Sequence, residues 1–102
     1  MGPGPYQLMR GDMLLGTIDQ LSPSRASGLL EGDLAPGTGW SSVQSLFATE
    51  AAALNHADRW PDAWQDAWDE AQGPGLVVVD GAGTAWPVNA HIEGTTVRVE
   101  VR

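Results

Sequence analysis

The sequence predicts an α+β fold: a mostly antiparallel sheet with two helices packed on one face. Three observations carry this. Residues Asp58 to Gln72 repeat tryptophan and acid at helical spacing. Both ends of the chain alternate apolar and polar residues around short glycine turns. Strand and helix patterns are also grouped, in the order β-β-β-α-α-β-β-β, and such grouping favours helices segregated on an antiparallel sheet.

Tyr6 to Arg10 and Met13 to Ile18 read as two strands joined by Gly11-Asp12, with Met1 to Pro5 a loose leader. A two-residue loop with glycine first suits a type II′ turn. That register sets Leu8 opposite Leu15 and Tyr6 opposite Thr17, with Tyr6, Leu8, Met13 and Leu15 facing the core. Residues 19–27 form a polar loop. Gly28 to Leu34 is a weaker strand, interrupted by Gly32. Ala35 to Trp40 is a second loop.

The first helix is expected to begin at Ser41, which with Gln44 fits a capping box. Val43, Leu46, Phe47, Ala51 and Leu54 form its apolar stripe. Asn55 to Asp58 ends it. The second helix begins near Pro61, tolerated in a first turn, with Asp62 complementing the dipole. In it Trp60, Trp64 and Trp68 recur every four residues, and Asp58, Asp62, Asp66 and Glu70 are offset by two. At about 100° per residue that offset puts indoles and carboxylates on opposite sides. The indoles are expected to pack on the sheet and the acids to face water. Gly73-Pro74 stops the helix.

Leu76 to Val79 is an apolar run, expected to be a central strand buried on both faces. Asp80 to Gly83 is turn chemistry. The closing segment folds as a hairpin about Glu93-Gly94, pairing Ile92 with Thr95, Ala90 with Val97, Val88 with Val99 and Trp86 with Val101. Its other face collects His91, Asn89, Arg98, Thr96 and Glu100. Pro87 cannot donate a ladder bond, so its side of the strand is an edge or a bulge.

The chain resembles a group of small uncharacterised bacterial proteins. The shared features are an opening hairpin ending like Leu14-Leu15-Gly16, a Leu46-Phe47 in the first helix, and a closing hairpin like His91-Ile92-Glu93-Gly94. The resemblance implies the same α+β layout over most of the chain. It implies no activity, and the tryptophan ladder is not part of the shared pattern.

The 102 residues suit a single domain, with enough core to need neither disulfide nor metal. Cysteine is absent, which excludes thiolate catalysis and cysteine-ligated zinc or iron–sulfur centres. The five basic residues are all arginine and the net charge is -8. That charge repels phosphate backbones, so nucleic acid is not expected as a partner. No apolar run approaches the roughly 18 residues of a membrane span. Met1 to Tyr6 lacks the regions of a signal peptide. The expectation is a cytoplasmic protein that binds neither membrane nor cofactor.

Two candidate surfaces follow. His91, Asn89, Arg98 and Glu100 bring mixed donors and acceptors to one hairpin face, where a His–Glu or Arg–Glu pair suits acid–base work; an ordinary wet sheet face is the plain alternative. Asp62, Asp66 and Asp69 lie on the acidic helix, a surface for a basic protein partner, or simply a solvated face. No nucleophile elbow or phosphate-binding glycine loop is present. The first functional expectation is therefore a non-enzymatic protein-interaction module, of inhibitor or immunity type. The alternative is a small-molecule binding protein or minor enzyme with a pocket between sheet and helices, lined by Trp40, Trp60 or Trp86 and anchored by His91 or Arg98. A homodimer through an open sheet edge is a third expectation.

Overall fold

The computed structural model describes residues 1–24, 29–73 and 75–102. The strands are β1 (Tyr6–Arg10), β2 (Met13–Ile18), β3 (Ser22–Pro23), β4 (Leu30–Pro36), β5 (Leu76–Val79), β6 (Ala85–Glu93) and β7 (Thr96–Val101); the helices are α1 (Trp40–Leu54) and α2 (Pro61–Gln72). All the ladders are antiparallel, in the order β2-β1-β5-β6-β7-β4-β3. The α+β class therefore holds, with one short strand more than expected.

The sheet is not an open layer. β4 spends its first half on β7 and its last three residues on β2, pairing Leu34 with Ile18 and Pro36 with Gly16. That seam closes the sheet into a barrel, and β3 lies outside the ring on β4. Glycines make the seam possible. A Cβ on Gly16 would stand 2.5 Å from the Ala35 carbonyl oxygen, and one on Gly32 2.4 Å from that of Gln20. Closure pairs β2 with β4 and removes the edges of the ring itself, while β3 pairs only with β4 among the described residues and keeps an outer edge.

The opening hairpin has its expected strands, and Gly11 takes φ of +59°, as the first position of a type II′ turn needs. Its register differs. A bulge between Leu8 and Met9 makes Leu15 an extra residue, so Leu8 faces Gly16 and Tyr6 faces Ile18. One inserted residue exchanges faces beyond it. Ile18 therefore joins the core and Thr17 turns away.

The closing hairpin is likewise present but turns on Gly94-Thr95, with Glu93 opposite Thr96, His91 opposite Arg98 and Val88 opposite Val101. The partner shift is two residues, so both faces keep their members. Val88, Ala90, Ile92, Val97 and Val99 fill the interior. Trp86 pairs instead with Val78 on β5. Pro87 stands where the β6–β7 ladder ends, accepting a hydrogen bond from the Arg102 amide. β5 is central, between β1 and β6, but only Leu76 and Val78 are fully buried.

The two helices start differently. The first begins at Trp40 with Gly39 as its cap, and no side chain caps it, so the Ser41–Gln44 box does not form. The second begins at Pro61 with Asp62 in its first turn, as expected. Gly73 ends it in an extended conformation, ψ 148°, which a residue before proline favours. Pro74 itself, and residues 25–28 of the expected loop and strand start, lie outside the described residues.

The largest correction concerns the tryptophans. α1 lies against β6 and β2, while α2 lies mainly on α1. Only α1 contacts the barrel extensively; α2 reaches the same strand, β6, through its last turn. Trp60 is 61% exposed, Trp64 and Trp68 are only half-buried, and Ala71 is the buried residue of α2. Phe47 holds the position expected of the indoles. It is 1% exposed, stacks on Trp40 at 5.7 Å, and belongs to the core with Val43, Leu34 and Ile92.

The last turn of α2 does reach the barrel. Gln72 donates to the Ala90 carbonyl at 2.7 Å and accepts from the Ala90 amide at 2.8 Å. Its amide thus completes the β6 edge just before β5 begins. Arg10 donates to the carbonyls of Ala71 and Glu70, satisfying groups that a helix end leaves open.

The leader is bound rather than loose. The Gly2 amide donates to Asp80, the Tyr6 hydroxyl to the Gly2 carbonyl, and the Gly81 amide to the Pro3 carbonyl. Asp80 also accepts from the Ala82 and Thr84 amides and from the Trp86 indole at 2.8 Å. The Trp86 bond, above all, holds the Asp80 carboxyl below its usual range, against the pull of burial; the amides of Thr84, Gly2 and Ala82 add to it. A depressed pKa contributes stability that is present above about pH 3.8 and is lost as pH falls through the folded value. Asp80→Ala is expected to lower the thermal midpoint and to speed exchange of the Gly81 amide at pH 6. Unchanged Gly81 exchange would show that the leader is held by other contacts.

Candidate functional site

α1 straddles β6. Phe47 points to the core, and Glu50, one turn further, meets His91 on the outer face of the strand. Glu50 is fully buried. Its Oε1 lies 2.6 Å from His91 Nδ1, and its Oε2 accepts from the Trp64 indole at 3.2 Å. A buried carboxylate is costly unless its oxygens are paired, and here both are. Three elements therefore converge on one group: α1 supplies the acid, β6 the imidazole, α2 the indole.

His91 is 8% exposed. The Glu50 hydrogen bond raises its pKa above the ordinary value of 6.5; burial opposes this, the Glu50 charge adds to it, Arg98 lowers it and Glu93 raises it slightly. The second nitrogen, Nε2, stands 3.7 Å from the exposed Glu93 carboxylate, beyond a good hydrogen bond.

Above this pair lies an open cleft of about 330 Å³, lined by Leu29, Glu50, Leu54, Trp64, Trp68, His91 and Arg98. Trp64 and Trp68 form its aromatic wall, with ring centroids 5.7 Å apart and planes tilted by 38°. Leu54, 42% exposed, stands on the α1 side. The opposite wall is the outer face of β6 and β7, where His91 and Arg98 are cross-strand partners. Arg98 Nε donates to Glu31 at 2.9 Å. The trough runs on past His91 and Arg98 to Asn89 and Glu100 in one direction and to Thr96 and Glu93 in another.

The hairpin residues singled out from sequence are thus brought together: His91, Asn89, Arg98 and Glu100 all line this trough. The acidic residues are not part of it. Asp62, Asp66 and Asp69 are exposed on α2, and Asp69 accepts a hydrogen bond from Gln65. The pocket tryptophans differ as well. Trp60 is solvated, Trp86 is tied to Asp80, and Trp40 lines a separate groove of about 320 Å³ beyond α1, whose polar lining is Gln44, Asn55 and the exposed Glu93. Sequence reasoning missed Glu50, which carries the site. Its signal was present: a carboxylate seven residues after Val43 and three after Phe47 lies on the apolar stripe of α1.

Among the described residues no helix is long and apolar enough to cross a membrane. Comparison with protein-family models, curated proteins and solved structures returns no match. The functional reading therefore rests on the cleft itself.

Proposed function

We propose that this is a small-ligand-binding protein whose site is the cleft between the Trp64–Trp68 wall and the outer face of β6 and β7. One observation carries the reading: an open, largely apolar cleft whose floor is the buried Glu50–His91 pair. Small-molecule sites are concave and mostly apolar, with a few fixed polar groups, and span roughly 300–1,000 Å³. This cleft stands at the small end of that range. Its polar groups are pre-positioned, since Glu50 fixes the imidazole and the Trp64 ring together.

A titration with naphthalene-based probes, followed by tryptophan fluorescence, tests the reading. Saturable binding is expected, weakened about tenfold or more by Trp68→Ala and unchanged by Trp60→Ala. Equal behaviour of the two variants, or no saturable signal, would remove the proposal.

A protein-interaction role remains the second reading, now attached to the acidic face of α2. What favours it is the exposure of Asp62, Asp66, Asp69 and Glu70 beside the solvated Trp60. A basic partner on that face would bind more weakly as salt rises. Capture of a partner at low salt that survives high salt would count against it.

A further inference from the structure

The hydrogen-bonding groups of the cleft are unequal. Its one carboxylate is spent, because Glu50 gives one oxygen to His91 and the other to Trp64. What the wall still offers to a ligand is donors. Arg98 uses Nε for Glu31, leaving the two Nη groups of its fork. His91 uses Nδ1 for Glu50, leaving Nε2.

These donors are neighbours. His91 and Arg98 face each other across β6 and β7, and directly opposed side chains start about 5 Å apart at Cβ. Both carry positive charge while the imidazole is protonated. Each is already paired, His91 Nδ1 with Glu50 and Arg98 Nε with Glu31, so what they offer a ligand is hydrogen-bond direction from Nε2 and the Nη groups rather than unbalanced charge. A carboxylate offers two acceptor oxygens, one for each donor, in the geometry that guanidinium groups take most strongly. The indoles of Trp64 and Trp68 stand over the same cleft and suit an apolar body.

Resting on the binding function proposed above, we propose that the ligand is an apolar monocarboxylate. Its carboxylate sits between His91 Nε2 and the Arg98 guanidinium, and its body lies against Trp64 and Trp68. Glu93, at 3.7 Å from His91 Nε2 and largely solvated, is the group the ligand displaces. The net charge of -8 acts against any anion at long range, but at physiological salt it is screened beyond about 8 Å. Inside that distance Glu93 and Glu31 oppose a carboxylate, and its hydrogen bonds to Nε2 and the guanidinium have to outweigh them. An amine stacked on the indoles finds Glu50, the carboxylate of the cleft lining, already bonded at both oxygens, and is expected to bind less well than the acid.

The test compares three probes of one shape by calorimetry on the full chain at pH 6 and 150 mM salt: 2-naphthoate, 2-naphthalenemethanol and 2-naphthylmethylamine. The acid is expected to bind about tenfold tighter than the alcohol, and the amine weakest. Arg98→Gln should abolish the preference for acid over alcohol. Arg98 is 41% exposed at its side chain, so that variant keeps the core intact. Glu31→Gln, which removes the salt-bridge partner but keeps the guanidinium, should retain the preference. Equal affinities for acid and alcohol, or an amine that binds best, would overturn the carboxylate assignment and leave the cleft reading standing. Absence of binding by all three would overturn both.

Discussion

Glu50→Ala is expected to cost about 3–5 kcal/mol of folding stability at pH 6, the usual cost of breaking a buried ion pair from one side. The variant strands two groups at once. His91, 8% exposed, loses the carboxylate at 2.6 Å, and the Trp64 indole loses its acceptor. It also opens space where α1, α2 and β6 meet. Glu50→Gln is expected to cost less, because the amide keeps the volume and one acceptor but not the charge. Urea unfolding at fixed pH reads both. A loss below about 1 kcal/mol for Glu50→Ala would mean that water compensates the carboxylate, and the pair would not be a buried one.

The same pair sets a pH dependence. The folded pKa of His91 is raised above 6.5, first by the Glu50 hydrogen bond. A raised pKa contributes stability that is fully present below pH 6.5 and is lost as pH rises through the folded value. The stability difference between the wild type and Glu50→Gln should therefore be largest below pH 6.5 and shrink above it. The charged groups facing the imidazole are Glu50 from α1, Glu93 on its own strand and Arg98 from β7. A difference that grows with pH would show that the imidazole is held neutral. Asp80 works in the opposite direction, at the acid end of the scale.

The period of the strands was legible, and so were the faces of the closing hairpin; in β2 the bulge exchanges the faces, and β5 fully buries one face rather than two. Both hairpins were readable from alternation because burial of one face fixes it. Their registers were not. Leu15 enters as a bulge, and Gly94 rather than Glu93 opens the last turn; a glycine that accepts φ of +63° fits the first turn position and draws the turn one residue on. Barrel closure was illegible for another reason. It depends on Leu34 to Pro36 meeting Gly16 to Ile18, a pairing between separate segments that leaves no local pattern beyond two close-packed glycines. The site was half legible. His91 and Arg98 share a hairpin face by simple parity. That a helix would bring a buried acid to that face requires reading Glu50 against its stripe, where its polarity argues for a partner.

Phe47→Ala is expected to lose about 3–5 kcal/mol, whereas Trp60→Ala should lie within about 0.5 kcal/mol of the wild type. The contrast decides which aromatic residue holds the fold. The periodicity of Trp60, Trp64 and Trp68 says that one side of α2 is apolar. It does not say what covers that side. In the structure the cover is α1 and an open cleft, so Trp64 and Trp68 are only half-buried, and Trp60 is solvated. Phe47 instead joins Trp40 of its own helix to Val43, Leu34 and Ile92 in the core. Removing its ring leaves a cavity between helix and barrel that the closed strands cannot collapse to fill. Equilibrium unfolding of the two variants measures the difference. A Trp60→Ala loss equal to that of Phe47→Ala would return the organising role to α2. A small loss for Phe47→Ala would mean that α1 is not what anchors the helices to the barrel, and the Glu50–His91 contact beneath the cleft would then need another support.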